Sequence, residues 1–343
     1  MPAVTPPKVL VTGANGFIAV WVVRSLLEAG FSVRGAVRSI EKYGHLRDIF
    51  ASYGDRFELV VVPDITKEGA FDEAVKGVDA IEHTASPFHL NPNSKPEDFV
   101  VPAKQGTLGI LQSALKLGKS GSVKLKRVVI TSSCAAVLRV QPEPKTFSED
   151  DWNDQAEDEV KEKGIMASGI SKYRASKTLA EKAARDFVEE HKKEIEWDLV
   201  RLNPPFVFGP TIHAVSSPDA LNTSARQFYE ILTVPQTPAT RHSGSCWVDV
   251  RDLARAHVLA LLKEAAGGER IIVSAGPYLT RNTVDAAPDS DDKYQKGVPG
   301  SGKDAVHQIR YDASKSVRVL GMTYRTMEET ARDTTADWEA RGW

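Results

Sequence analysis

Tyr173 and Lys177 stand four residues apart in Tyr173-Arg174-Ala175-Ser176-Lys177, a spacing that puts a phenol and an ammonium one helical turn apart on one face. A carbonyl that receives a hydride at carbon must receive a proton at oxygen, and a tyrosine of ordinary pKa, about 10, is a poor acid near neutrality. An ammonium at about 4 Å would favour the phenolate by about 4 kcal/mol at an effective dielectric of 20, an upper-end shift of about three pKa units. The pair reads as a proton-delivery device, with Lys177 also able to hydrogen-bond a cofactor ribose. The spacing alone is common on exposed helices; its weight comes from the two motifs upstream.

The first of these is a strand at 127–131 running into Thr131-Ser132-Ser133-Cys134-Ala135. A hydroxyl there could hold a carbonyl oxygen against the tyrosine, preorganised for the developing alkoxide. Ser133 is chosen over Ser132, although alternation at a strand end requires only that one of the two face away.

The second is Thr12-Gly13-Ala14-Asn15-Gly16-Phe17-Ile18-Ala19, a GxxGxxA turn between a strand and a helix. Gly13 permits the tight turn, Gly16 lets backbone approach a pyrophosphate, and the helix amides face the anion. Small Ala19 stands in for the third glycine. A strand at 32–37 then ends in Arg38 rather than the Asp or Glu that accepts from the ribose of NAD. A guanidinium can pair bidentately with a 2′-phosphate that a carboxylate would repel, so Arg38 selects NADPH/NADP+. Lys42, four residues on, either shares that phosphate or stays in solvent. Asp64 either accepts from the adenine amino group or caps a following helix. His83-Thr84-Ala85-Ser86-Pro87 offers small residues along a sheet edge, and His83 itself reads as a packed histidine.

Strand candidates at 9–12, 32–37, 57–62, 80–83 and 127–131 alternate with helical segments at 17–29, 70–75 and 99–117. That alternation predicts βαβ units and a Rossmann-type doubly wound parallel sheet, an α/β fold. The acidic stretch 141–170 reads as an excursion from the sheet. A helix at 171–191 follows, then a strand at 197–202, a helix at 248–263, a loop at 286–303, and a closing helix from 327 to about 341. The expected division is a nucleotide-binding domain over 1–204, rejoined by 246–275, with a smaller substrate lobe from 205–245 and 276–343.

Composition excludes several classes. The 343 residues are 41% hydrophobic and 26% charged, with 44 basic and 46 acidic side chains, which gives no electrostatic case for nucleic acid or an anionic membrane. The basic run Lys116, Lys119, Lys124, Lys126 and Arg127 reads as a solvated loop. Two distant cysteines, Cys134 and Cys246, make neither a disulfide framework nor a zinc site and fit a reducing compartment. The start of the chain has no signal-peptide pattern, and the apolar run 17–27, interrupted by Arg24, is about half a membrane span. A cytoplasmic monomer or homodimer with no metal is expected. Trp21 and His257 read as core residues.

These motifs together resemble the extended short-chain dehydrogenases/reductases, in particular their dihydroflavonol reductase-like branch with its fungal methylglyoxal and aldehyde reductases. The resemblance covers nearly the whole chain and also rests on Gly106-Thr107, on 203–210 (Asn-Pro-Pro-Phe-Val-Phe-Gly-Pro) and on Val248-Asp249-Val250-Arg251-Asp252. It implies backbone contacts from Pro204 to Val207 to the nicotinamide amide, Asp64 and Ile65 flanking the adenine, and Thr84, Ala85 and Ser86 along the cofactor. It also implies a substrate pocket lined by Phe88 and by the region 206–234, Phe206 included.

Two departures bear on the substrate. Leu138 occupies the place, five residues beyond Ser133, of an asparagine that binds substrate in flavonoid reductases, and Gly169-Ile170-Ser171-Lys172 replaces the signature of cinnamoyl-CoA reductases. A small or aryl-substituted carbonyl in an apolar pocket is therefore expected instead of a plant phenolic. The alternatives are a nucleotide-sugar epimerase or dehydratase, against which Arg38 argues, and a non-catalytic NADPH sensor, against which the intact Tyr173 argues.

Overall fold

The computed structural model describes residues 8–86, 94–119, 125–237, 240, 243–286, 293–295 and 306–343. Phe88, and most of the expected loop at 286–303, lie outside them.

Seven parallel strands form the central sheet: β1 (Lys8–Thr12), β2 (Ser32–Val37), β3 (Phe57–Val61), β4 (Ala80–His83), β5 (Arg127–Thr131), β7 (Asp198–Asn203) and β10 (Arg270–Ile272). Their order is β3-β2-β1-β4-β5-β7-β10. The order reverses between β1 and β4, where Val9 pairs with Val33 on one side and Ala80 on the other. A crevice outside the strand ends is expected at such a switch point.

Strand periodicity splits the core in two. Val9 and Val11 pack on one face with the helices Phe17–Glu28 and Val250–Leu262; Leu10 packs on the other with Glu97–Lys119 and Gly169–Glu190. Strands covered on both faces read as continuous apolar runs, which is why Lys8–Thr12 and Arg127–Thr131 are so rich in valine and isoleucine.

A second layer lies beyond the sheet. Strands β8 (Phe206–Phe208), β9 (Gly244–Asp249) and β11 (Gly276–Leu279) form a small sheet in the order β11-β9-β8. Its core holds Phe208, Phe228, Trp247, Tyr278 and Trp338, with the Phe208 and Phe228 rings stacked at 4.6 Å. The excursion is not irregular: it contains β6 (Lys145–Phe147), paired in parallel with β12 (Ile309–Tyr311), and a helix Asp154–Lys163 capped by Asn153.

Two expected helices differ. Residues 70–75 form turns, bracketed by Gly69 at φ 69° and Gly77 at φ 71°, so helical spacing there had no room to propagate. Val248 belongs to β9; the Asp249 carboxylate accepts from the Arg251 amide at 2.8 Å, and this cap starts the helix at Val250. That helix packs on Phe17–Glu28, and β10 extends the central sheet beside β7. Among the described residues, no helix is long and apolar enough to cross a membrane.

Candidate active site

The turn after β1 is built for close approach. Gly13 has φ 66°, and a Cβ there would sit 3.1 Å from the Ala85 Cα, so a side chain would be both strained and crowded. The Gly16 amide donates to the Gly13 carbonyl at 2.9 Å. Gly16 caps the first helix without a side-chain bond, which leaves amides of the first turn free to meet an anion. Thr12 fastens the loop after β4 to this turn: its hydroxyl accepts from the Ala85 amide at 3.1 Å, and its carbonyl accepts from the Thr84 hydroxyl.

These residues line a cavity of about 260 Å³, with Asn15, Arg38, Tyr43, Ile65 and Ser86 completing the wall. Arg38 is exposed at the end of β2, and among the described residues its guanidinium forms no hydrogen bond. Lys42 is exposed on the short helix Ile40–Tyr43 with its ammonium 5.6 Å from the centre of the Tyr43 ring. Phe17 is buried against His213, ring centres 5.7 Å apart, and Ile18 is half-buried.

Asp64 is exposed and caps no helix. It accepts from the Thr66 hydroxyl at 2.6 Å and the Thr66 amide at 2.9 Å, and these bonds hold its carboxyl below the usual range. Arg38 contributes in the same direction.

A second cavity, of about 250 Å³, opens where β5 ends. Ser133, Leu138, Tyr173, Arg174, Pro205 and Phe206 are in its wall, with Ile309 and Tyr311. Here the two serines part. The Ser132 hydroxyl turns into the core and donates to Glu181 at 2.5 Å; Ser133 faces the cavity and hydrogen-bonds Tyr173, its oxygen also accepting from the Ala135 amide at 3.0 Å. Pro204 and Val207 are buried and outside both cavity walls; the Pro204 carbonyl accepts from the Cys134 amide at 2.9 Å, and Val207 pairs with Val248.

Lys177 ties the helix behind one cavity to the wall of the other. Its ammonium donates to the Ser86 hydroxyl at 3.1 Å, one turn along the helix from Tyr173. Burial draws the Lys177 pKa down to about 8, opposed by the Glu181 carboxylate. The expected depression of the Tyr173 phenol does not appear in this arrangement: burial pushes it above its ordinary value, and the Ser133 hydrogen bond is what pulls it down. The physical reason is desolvation: keeping the phenolate out of water outweighs the Ser133 hydrogen bond.

Sequence reading missed Glu181, although Tyr173, Lys177 and Glu181 recur every four residues on one helix. The buried carboxylate collects Ser132, Asn203 (2.8 Å) and Arg270 (2.6 Å). Arg270 also donates to the carbonyls of Glu149 and Asp151 and lies 3.8 Å from the centre of the Trp152 ring. This network clamps the ends of β5, β7 and β10 together beneath the catalytic candidates. His83 and His257 are packed and hydrogen-bonded, His83 to Thr12 at 2.9 Å and His257 to Glu82 at 2.6 Å. Trp21 packs on the core and donates to the Pro210 carbonyl at 2.9 Å.

Residues 9–276 match the model of the NAD dependent epimerase/dehydratase family. Ketoreductase azaE of Aspergillus niger is 36% identical over 95% of this chain and 96% of its own length. The NADPH-dependent methylglyoxal reductase GRE2 of Saccharomyces cerevisiae is 34% identical over 95% and 96%. Among solved structures, Gre2 from Candida albicans in complex with NADPH superposes with a TM-score of 0.86 at 32% identity, covering 98% of this chain and 100% of that one.

Proposed function

The chain belongs to the NAD dependent epimerase/dehydratase family, among its extended short-chain dehydrogenases/reductases, and from that premise we propose that it is an oxidoreductase using NADPH to reduce aldehydes or ketones to alcohols. The observation that carries this reading is that one helix serves two cavities. Ser133 and Tyr173 meet in the wall of one, and Lys177 reaches from the same helix to Ser86 in the wall of the other.

The dinucleotide fits the first cavity on three counts. A Cβ at Gly13 would crowd Ala85 in the cradle wall, the first helix presents uncapped amides, and the Arg38 guanidinium at the end of β2 makes no hydrogen bond among the described residues. The amides at Asn15, Phe17 and Ile18 hold the pyrophosphate, which Gly13 and Gly16 let approach for want of a Cβ, and Arg38, with Lys42 beside it, pairs with the 2′-phosphate. Asp64 and Ile65 border the adenine; Thr84, Ala85 and Ser86 run along the cofactor, and the backbone between Pro204 and Val207, which reaches a cavity wall at Pro205 and Phe206, orients the nicotinamide amide. When bound, NADPH supplies the hydride.

Ser133 holds the carbonyl oxygen by a hydrogen bond, and Tyr173 delivers the proton to it. A Lys177 pKa of about 8 leaves the side chain cationic at neutral pH, where it stabilises the phenolate that Tyr173 becomes after proton transfer. Leu138 and Phe206 exclude water from the substrate side, in a lobe built from 205–245 and 276–343, while 1–204 and 246–275 carry the nucleotide.

The test is NADPH oxidation over a panel of simple aldehydes, α-dicarbonyls, oxo acids, aryl ketones and β-keto esters. Turnover of at least one class, lost in Tyr173→Phe, is expected. Absence of turnover across the panel, with NADPH bound, would overturn the reading.

A further inference from the structure

Arg174 directly follows Tyr173 on the helix Gly169–Glu190 and lines the same cavity. Every other described residue in that wall is neutral: aliphatic and aromatic groups such as Leu138, Ile170 and Phe206, hydroxyls such as Ser224, and Gln227. The guanidinium is half-buried, and among the described residues it donates no hydrogen bond. Glu159 is the carboxylate that acts on it electrostatically. Both Glu159 oxygens are already engaged, one by the Ser171 hydroxyl at 2.8 Å and the other by Lys163 at 3.4 Å. Tyr311 shares the wall but stays a neutral phenol, because burial pushes its pKa well up.

Among the described residues, the wall therefore holds one cation, a fork of five donors without a hydrogen-bond acceptor, beside the proton-delivering tyrosine. Removing a guanidinium from water without acceptors is unfavourable, and its planar geometry matches a carboxylate through two parallel N–H···O bonds.

We propose that Arg174 determines specificity and that the substrate is an oxo acid, a carbonyl compound whose carboxylate pairs with Arg174 while its carbonyl lies between Ser133 and Tyr173. The proposal rests on the carbonyl-reduction reading and narrows it to a substrate class. Neighbouring helical positions diverge by roughly 100°, so phenol and guanidinium reach the cavity from different directions and can hold two ends of one molecule. A volume of about 250 Å³ suits a small substrate. The reaction balances: the carbonyl carbon gains the hydride of NADPH, its oxygen gains the Tyr173 proton, and the carboxylate leaves unchanged on a hydroxy acid.

Matched pairs test this, with the carbonyl held constant and only the charge altered: benzoylformate against methyl benzoylformate, and levulinate against methyl levulinate. In the native enzyme, kcat/KM for the acid should exceed that for the ester by about tenfold or more, chiefly through KM. In Arg174→Met the acid-to-ester ratio should fall to about one or below, and Arg174→Lys should retain part of it. The ratio cancels any loss of folded enzyme. A native ratio near one, or a ratio unmoved in Arg174→Met, overturns the proposal. Should no carbonyl be reduced, the catalytic reading fails separately. Calorimetry with benzoate on the NADP+-loaded protein then decides the anion site: binding lost in Arg174→Met supports it, and no binding in the native protein overturns it.

Discussion

Lys177 donates from its ammonium to the Ser86 hydroxyl over 3.1 Å, which ties the Tyr173 helix to the loop that closes on Gly13. The bond links the two halves of the proposed reaction, one holding the nucleotide and the other the proton donor. Both sides of that link can be interrogated.

Tyr173→Phe removes the phenolic proton and keeps the ring. Carbonyl reduction should fall by about 10²–10⁴-fold in kcat, the usual contribution of a positioned general acid. NADPH binding, followed by quenching of protein fluorescence, should persist. Turnover at the native rate would remove Tyr173 as the donor.

Arg38→Asp replaces the unengaged guanidinium at the end of β2 with a carboxylate. The ratio of kcat/KM for NADPH over NADH should drop on the order of a hundredfold, through a lost charged pair and new repulsion. An unaltered ratio would show that the 2′-phosphate is read elsewhere.

The lysine gives a pH dependence with a definite sign. Burial lowers the Lys177 pKa from 10.5 to about 8, so the cation is lost as pH rises through about 8. The value of kcat/KM for NADPH, which reports the free enzyme, should decline along that limb. In Lys177→Arg the limb should move upward, since a guanidinium stays charged. The same shift means that the unfolded chain holds the extra proton between about 8 and 10.5, so the fold gains stability from this group as pH rises through that window. A limb unmoved in Lys177→Arg would assign it to another group.

Glu181→Leu should destabilise the protein by about 3–5 kcal/mol, because it strands the buried Arg270 guanidinium without its carboxylate. Urea denaturation measures this directly. The double variant Glu181→Leu with Arg270→Met should recover part of the loss. A single variant within about 0.5 kcal/mol of the native protein would mean that the clamp is dispensable.

The sheet was readable because its strands are covered on both faces, so 9–12 and 127–131 announce themselves as runs dominated by β-branched residues. The short pairings were not: β6 and β12 have three residues each, too few to show a period, and their partners lie far apart in sequence. Residues 70–75 have helical spacing but sit between two glycines with positive φ. At the site, residue types and four-residue spacing gave Tyr173, Lys177 and the glycine turn as candidates. The choice between Ser132 and Ser133 needed coordinates, because either could face the cavity until Glu181 was seen to take one of them. Arg174, between Tyr173 and Lys177, has neither a residue type nor a spacing that marks it; only a wall whose other described residues are uncharged gives it meaning.

Strand β12 pairs with β6 and brings Ile309 and Tyr311 into the wall of the cavity that holds Ser133 and Tyr173. Long-range pairings form late, since the intervening chain must first be made and closed. On the ribosome, the nucleotide cradle of residues 12–86 emerges long before this last panel of the pocket arrives. A nascent chain halted before residue 309 would carry the Gly13 turn and the Tyr173 helix but would leave the carbonyl position open to water on that side.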